Sequence, residues 1–287
     1  MSLAGRVTVS VLTHDRAAEL SRTLERLIPA AEDAPILVVD NGSTDATPEV
    51  LARFSPRVTA IRLDENHGAA GRNTGVLAAQ TPHVALADDD TWWAPGALAT
   101  ASRALDEHPD VAILTARVLV GDSGALDPTC VEMQNSPLAG RVDLPGPPIL
   151  GFLAGASMVR RSAFLAAGGF DPRFFLGGEE RLLAVDLARA GWSMAYLPEA
   201  VVHHHPSPSR DPEARRALLA RNALWFAWLR RPVPSALRTT AALLSRAARE
   251  RPVRRGVLRA TLGLPWIVRE RREIPPEIER ALRLLHV

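Results

Sequence analysis

Three adjacent carboxylates, Asp88-Asp89-Asp90, are the most concentrated charge in the sequence. In an extended segment the first and third point to the same side. A hard divalent cation, Mg²⁺ or Mn²⁺, favours such a pair, and a diphosphate can fill its remaining positions. The competing explanation is a solvated acidic turn ahead of a helix beginning near Pro95. A second acidic pair, Glu179-Glu180, follows Gly177-Gly178. A carboxylate there can take a proton from an acceptor hydroxyl. A free glutamate, with a pKa near ~4.3, is ionised and ready to do so at neutral pH. Two acids at a helix start also simply favour the helix dipole. Trp92-Trp93 follows the triplet directly; aromatic faces stack on sugar rings, or pack in a core. Phe174-Phe175-Leu176 precedes the glycine pair.

These groups need a frame. Val7–Leu12, Ile36–Val39, Val58–Leu63 and Val84–Ala87 are short apolar runs with β-branched residues. Helix-length segments, 17–27, 44–54 and 69–79, lie between them, the second capped by Ser43 or Thr44. Alternation of this kind predicts an α/β domain with a mainly parallel sheet covered on both faces. A helix over 95–107 and a strand over 111–118 follow, then an irregular excursion over 121–149 that carries Cys130. Order returns at 149–161, followed by a short helix from Ser162, a turn at 168–172 and a helix over 179–190; strands are then predicted at 194–197 and 201–204, and helices fill 212–287. Ligands of an open parallel sheet bind beyond the strands' carboxyl ends. The residues there are Thr13-His14-Asp15-Arg16, Asp40-Asn41-Gly42-Ser43, Glu65-Asn66-His67-Gly68 and the acidic triplet. No G-x-G-x-x-G or P-loop appears among them, so neither a dinucleotide fingerprint nor a Walker site is supported.

Together these segments resemble the signatures of a family 2 glycosyltransferase with the GT-A (Rossmann-like) fold. The resemblance runs through 9–13, 36–45, 66–75 and 86–90, then Gly168-Gly169-Phe170-Asp171, Gly178-Glu179-Glu180 and 186–192. It covers roughly 70% of the chain, from residue 7 to about 205. It implies a metal-dependent inverting transferase moving a sugar from a nucleotide-diphosphate sugar to a hydroxyl acceptor, in glycan, polysaccharide or glycolipid biosynthesis. By position, Asp40 would read the base, giving a preference for UDP or dTDP. Arg72 and Thr13 would line the nucleotide pocket, with Asp15, Arg16 and Asp89 beside them. Asp90, with Asp88, would bind Mn²⁺ or Mg²⁺, and His203 or His204 would be a third ligand. Alternation along a strand argues against both histidines serving. Glu180 or Glu179 would be the general base; the family more often reads Glu-Asp here, which leaves the choice open. Trp92, Trp93, Phe174 and Phe175 are the acceptor-side candidates.

Two other functions compete. A sugar-nucleotide nucleotidyltransferase of the same fold would carry a glycine-rich loop after the first strand, where this chain reads Thr13-His14-Asp15-Arg16. A non-catalytic carbohydrate-binding scaffold would have no need of both acidic motifs.

Composition sets the remaining bounds. The chain has 287 residues, 47% apolar and 23% charged, the balance of a globular protein. All its basic residues are arginine. Residues 1–209 hold 16 Arg against 25 Asp/Glu, a balance of −9, and residues 210–287 hold 18 against 7, or +11. We therefore expect a catalytic domain over 1–208 and a basic helical extension over 209–287. Such helices pack on the acidic body, form a homodimer interface, or lie on an anionic membrane inner face near a lipid-linked acceptor. No nucleic-acid motif accompanies the charge. One cysteine excludes a disulfide framework, and the N-terminus lacks signal-peptide features, so a cytoplasmic location is expected.

Overall fold

The computed structural model describes residues 2–139, 143–207 and 211–285. The expected boundary between residues 208 and 209 lies outside them. The described strands are β1 Val7–Thr13, β2 Ile36–Asp40, β3 Thr59–Arg62, β4 His83–Asp88, β5 Thr91–Trp93, β6 Val111–Val120, β7 Ala125–Leu126, β8 Ser157–Arg160 and β9 Ser193–His204. The helices are α1 Ala17–Ala30, α2 Thr47–Phe54, α3 Gly71–Ala78, α4 Ala97–Glu107, α5 Pro128–Gln134, α6 Arg161–Ala166 and α7 Glu179–Arg189, then α8 Pro212–Arg230, α9 Val233–Ala247, α10 Arg251–Ala260, α11 Leu264–Glu270 and α12 Pro276–Leu284.

The strands form a mixed sheet in the order β3-β2-β1-β4-β8-β6-β9-β5, with β7 on β6. The first four are parallel, and Val7, Val9, Val11 and all of Val84–Ala87 are buried. Apolar runs without alternation fit a sheet buried on both faces. The register sets Thr13 opposite Asp40, and Leu12 opposite Asp88. Three strands therefore end level, which gathers their polar residues on one rim.

Three local expectations change. The second helix begins at Thr47 rather than Thr44 and has no side-chain N-cap. Asp45 instead accepts the Thr47 N–H at 3.0 Å, and Thr44 is drawn to Asp15. The excursion after β6 holds β7 and α5, and Cys130 is buried on α5 near the Val118 N–H. The two short strands expected around Pro198 are one strand, β9. A register shift between Ala116 and Arg117 of β6 accommodates the extra β9 residues around that proline, which has no N–H to donate.

The C-terminal helices pack against the body. Arg230 of α8 makes a two-pronged pair with Asp186 of α7, at 2.6 and 2.8 Å. Arg173, before α7, reaches Glu270 of α11 at 2.7 Å. Among the described residues no helix is long and apolar enough to cross a membrane.

Candidate active site

A cavity of ≈ 480 Å³ opens on the rim. Thr13, Arg16, Arg72, Asp88, Asp89 and Asp90 line one side. Phe175, Glu179 and Glu180 line the other, and His204 lies beside Asp90. Thr13 and His204, 191 residues apart in sequence, thus meet because β1, β4 and β9 belong to one sheet.

Each acid of the triplet has its own environment. Asp88 pairs with the buried Arg72 of α3. Asp89 is buried and accepts from Arg16 at 3.1 Å. Burial pushes its carboxyl up to about 7, against the pull of Arg16. Asp90 accepts from the same guanidinium at 2.8 Å. Burial, then the charge of Asp88, raises Asp90 above the usual carboxylate range. Gly155 closes the wall here; a Cβ on it would sit 2.4 Å from Asp88 Oδ2. The backbone can approach the carboxylate this closely only as glycine.

Strand pairing separates the histidines. β5 runs antiparallel to β9, with Thr91 opposite His204 and Trp92 opposite His203. His204 Nε2 lies 3.7 Å from Asp90 Oδ1 inside the cavity. His203 stacks on Trp92 at 5.3 Å, with Arg26 over that ring at 4.7 Å. An imidazole nitrogen and carboxylate oxygens are a donor set of the right chemistry for Mn²⁺ or Mg²⁺. Mutual repulsion between Asp88 and Asp90 adds to the fit. Among the described residues no three such side chains form a ready-made cage. Arg16 and Arg72 compensate the charge instead.

The glutamates open α7. Gly178 before them has φ 96°, which an L side chain rarely adopts. Glu179 is 4% exposed, and its Oε2 has no hydrogen-bond partner. Glu180 Oε1 accepts the Ala154 N–H at 3.0 Å. Burial, then the charge of Glu179, pushes Glu180 up to about 7. Burial raises Glu179 as well. Glu180 also borders a second hollow, lined by Met133, Ile149, Leu150, Phe152 and Arg181.

Some expected residues stand elsewhere. Asp40 is 1% exposed beneath the rim, its oxygens taken by the Ser43 N–H and by Arg62. Asp15, at φ 51°, braces the next loop by accepting from Thr44. Trp93 and Phe174 are fully buried, which removes them from contact with an acceptor. Trp93 donates to the Leu86 carbonyl and Phe174 packs on Trp225, so both are core residues. Trp92 lies outside the cavity, and Phe175 remains at its edge. The sequence reading missed Gly155 and Arg215. Gly155 lies in an Ala-Gly-Ala run that suggests close packing. Arg215 enters the cavity from α8 and had no local signal.

Residues 8–166, more than half of the chain, match the family model described as glycosyl transferase family 2. The chain belongs to family 2 of the glycosyltransferases. A Mycobacterium tuberculosis protein named N-acetylglucosaminyl-diphospho-decaprenol L-rhamnosyltransferase is 30% identical, over 83% of this chain and 91% of its own. A pre-mycofactocin glycosyltransferase of the same organism is 31% identical, over 76% of this chain and 46% of its own. Among solved structures, a Pyrobaculum calidifontis mannosyltransferase in complex with GDP-Man and Mn²⁺ superposes with TM-score 0.60 at 22% identity, over 97% of this chain and 74% of its own. Staphylococcus aureus TarS 1–349 in complex with UDP-GlcNAc gives 0.57 at 17% identity, over 76% and 66%. These neighbours share the GT-A fold of this glycosyltransferase.

Proposed function

We propose that this glycosyltransferase is a metal-dependent inverting enzyme. It moves a sugar from a nucleoside-diphosphate donor to a hydroxyl of a polyisoprenyl-diphosphate-linked sugar. The observation that carries the reading is one cavity with Asp88, Asp90 and His204 on one wall and the Glu179-Glu180 pair on the other. The lipid-linked acceptor follows the printed name of the mycobacterial relative.

Glu180 is the base. It lines the donor cavity and borders the second hollow, so an acceptor hydroxyl lodged between them meets its carboxylate. Glu180 takes the hydroxyl proton as that oxygen bonds the anomeric carbon from the face opposite the diphosphate. The bond to the diphosphate oxygen breaks, and the nucleoside diphosphate leaves with the electron pair. Asp90, Asp88 and His204 would hold the divalent ion, which supplies neutralising charge to the leaving diphosphate. Arg215 and Arg16 add positive charge on the same cavity. A uracil or thymine base fits best: Arg62, over Asp40, is 55% exposed, and moving it frees a carboxylate oxygen for a ring N–H.

Thermal shift with UDP, dTDP, GDP and CMP, each with Mn²⁺ and with EDTA, tests the donor side. One diphosphate should stabilise the protein only with metal. Asp90→Ala should remove that shift and cut turnover by about 10² or more. Near-normal turnover in Asp90→Ala would refute the metal assignment.

We also infer peripheral membrane contact. Leu258, Leu262, Leu264 and Val268 are 53–79% exposed within eleven residues spanning α10, the turn after it and α11, with Arg254, Arg255, Arg259 and Arg269 on the same stretch. An apolar strip edged by arginines suits an anionic bilayer surface. Replacing Leu258, Leu262 and Val268 with Glu should abolish sedimentation with phosphatidylglycerol vesicles; unchanged sedimentation would exclude this face.

A further inference from the structure

The hollow on the far side of Glu180 has a composition that donor chemistry does not use. It encloses ≈ 270 Å³. Its polar lining includes Thr129, Ser136, Glu132 and Arg181; Met133, Ile149, Leu150, Phe152 and Leu285 are apolar. A further hollow of ≈ 480 Å³ adjoins it and shares Ile149 and Leu150. That one is mainly apolar, with Leu138, Leu144, Trp192, Met194, Ile278 and Leu284 in its walls.

Arg181 is the unusual member. Among the described residues its guanidinium has no hydrogen bond or ion pair, and it lies 5.7 Å above the Phe226 ring. It is exposed to solvent and lines the hollow. Arg231, already paired with Glu279, repels it, and the charge of Glu180 attracts it. A guanidinium of this kind, beside two hydroxyl-bearing residues, is a site for a phosphate oxygen pair. Leu284 is 54% exposed, although it faces a hollow built from other apolar side chains.

We propose that these two hollows form the acceptor's lipid-side subsite: Arg181, with Thr129 and Ser136, binds the diphosphate, and the apolar hollow lined by Leu138, Leu144, Ile149, Leu150 and α12 takes the first isoprene units. This rests on the acceptor class proposed above. The occupant is fixed by three adjoining features: the base at one end, an unpaired cation next, and an apolar trough beyond. The C-terminal extension then selects the acceptor, since α12 supplies one wall. A headgroup without a lipid chain would leave the apolar hollow wet, and a lipid without a diphosphate would leave Arg181 unpaired.

The test uses the full-length protein and the donor chosen by thermal shift. The acceptors are N-acetylglucosaminyl diphosphate on a decaprenyl chain, the same head group on a methyl group, and methyl N-acetylglucosaminide. Wild-type KM should be lowest for the decaprenyl compound. Leu284→Glu, at an exposed position that tolerates charge, and Ala281→Trp, which fills the hollow, should each raise that KM about tenfold or more with kcat held. The KM for the methyl diphosphate should change less than twofold. Arg181→Gln should raise KM for both diphosphates about tenfold and leave that for the methyl glycoside unmoved. Equal wild-type KM values for the long and short diphosphates, or variants that leave their ratio unchanged, overturn the subsite while the acceptor class stands. Absence of wild-type transfer to every diphosphate-linked acceptor overturns the acceptor class itself, and the subsite with it.

Discussion

The two walls of the cavity hold their carboxylates with different partners. On the triplet side, each carboxylate has an arginine: Arg72 for Asp88, Arg16 for Asp89 and Asp90. On the α7 side, neither glutamate has an ion pair among the described residues, and both are raised by burial. Pairing does not by itself offset burial: Asp89 is pushed up to about 7 despite Arg16, as Glu180 is without an ion pair. What differs is the partner, a guanidinium for the triplet and the Ala154 N–H for Glu180. The comparison teaches that burial raises a carboxyl on either wall, while ion pairing distinguishes the walls among the described residues.

The sharpest way to break this contrast is to neutralise each glutamate. Glu180→Gln should lower kcat by about 10³ while metal-dependent nucleotide binding persists. Glu179→Gln should cost far less, since its carboxylate does not reach the second hollow. The reverse order would transfer the base role to Glu179.

The pH profile sharpens the same point with a smaller effect. A base raised to about 7 is protonated and idle below that pH. The rate should therefore climb about tenfold per unit up to pH 7 and level above it. A profile flat from pH 5 to 8 would show that no carboxyl of this wall limits turnover.

The smallest expected effect concerns the support behind the wall. Asn222 of α8 is buried, and its amide donates to the carbonyls of Phe174 at 2.8 Å and Leu176 at 3.2 Å. Asn222→Ala removes this donor from the Leu176 and Gly177 carbonyls, while Phe174 keeps Arg221, and should cost about 1–3 kcal/mol of stability. It should also lower kcat more than it changes donor affinity, because the loop it holds leads directly into Glu179. Equal losses in both would mean that α8 supports the two walls alike.

The amino-acid sequence by itself determined the alternating strand-and-helix half and the rim acids. Buried parallel strands must be continuously apolar, and their polar ends must lie where the runs stop. The four N-terminal motifs, 9–13, 36–45, 66–75 and 86–90, could be read for that reason. Tertiary structure alone decided the rest. Which histidine faces Asp90 depends on the register of β5 on β9, a pairing across about 110 residues that no local pattern encodes. Trp93 and Phe174 carry the same aromatic faces as any acceptor platform, and only packing shows them to be core. Arg215 lines the cavity, and Asn222 holds the loop before α7, from a helix that reads, in isolation, as a basic extension. Local sequence fixes which face of an element is apolar; which distant charges share a cavity follows only from how those faces are packed together.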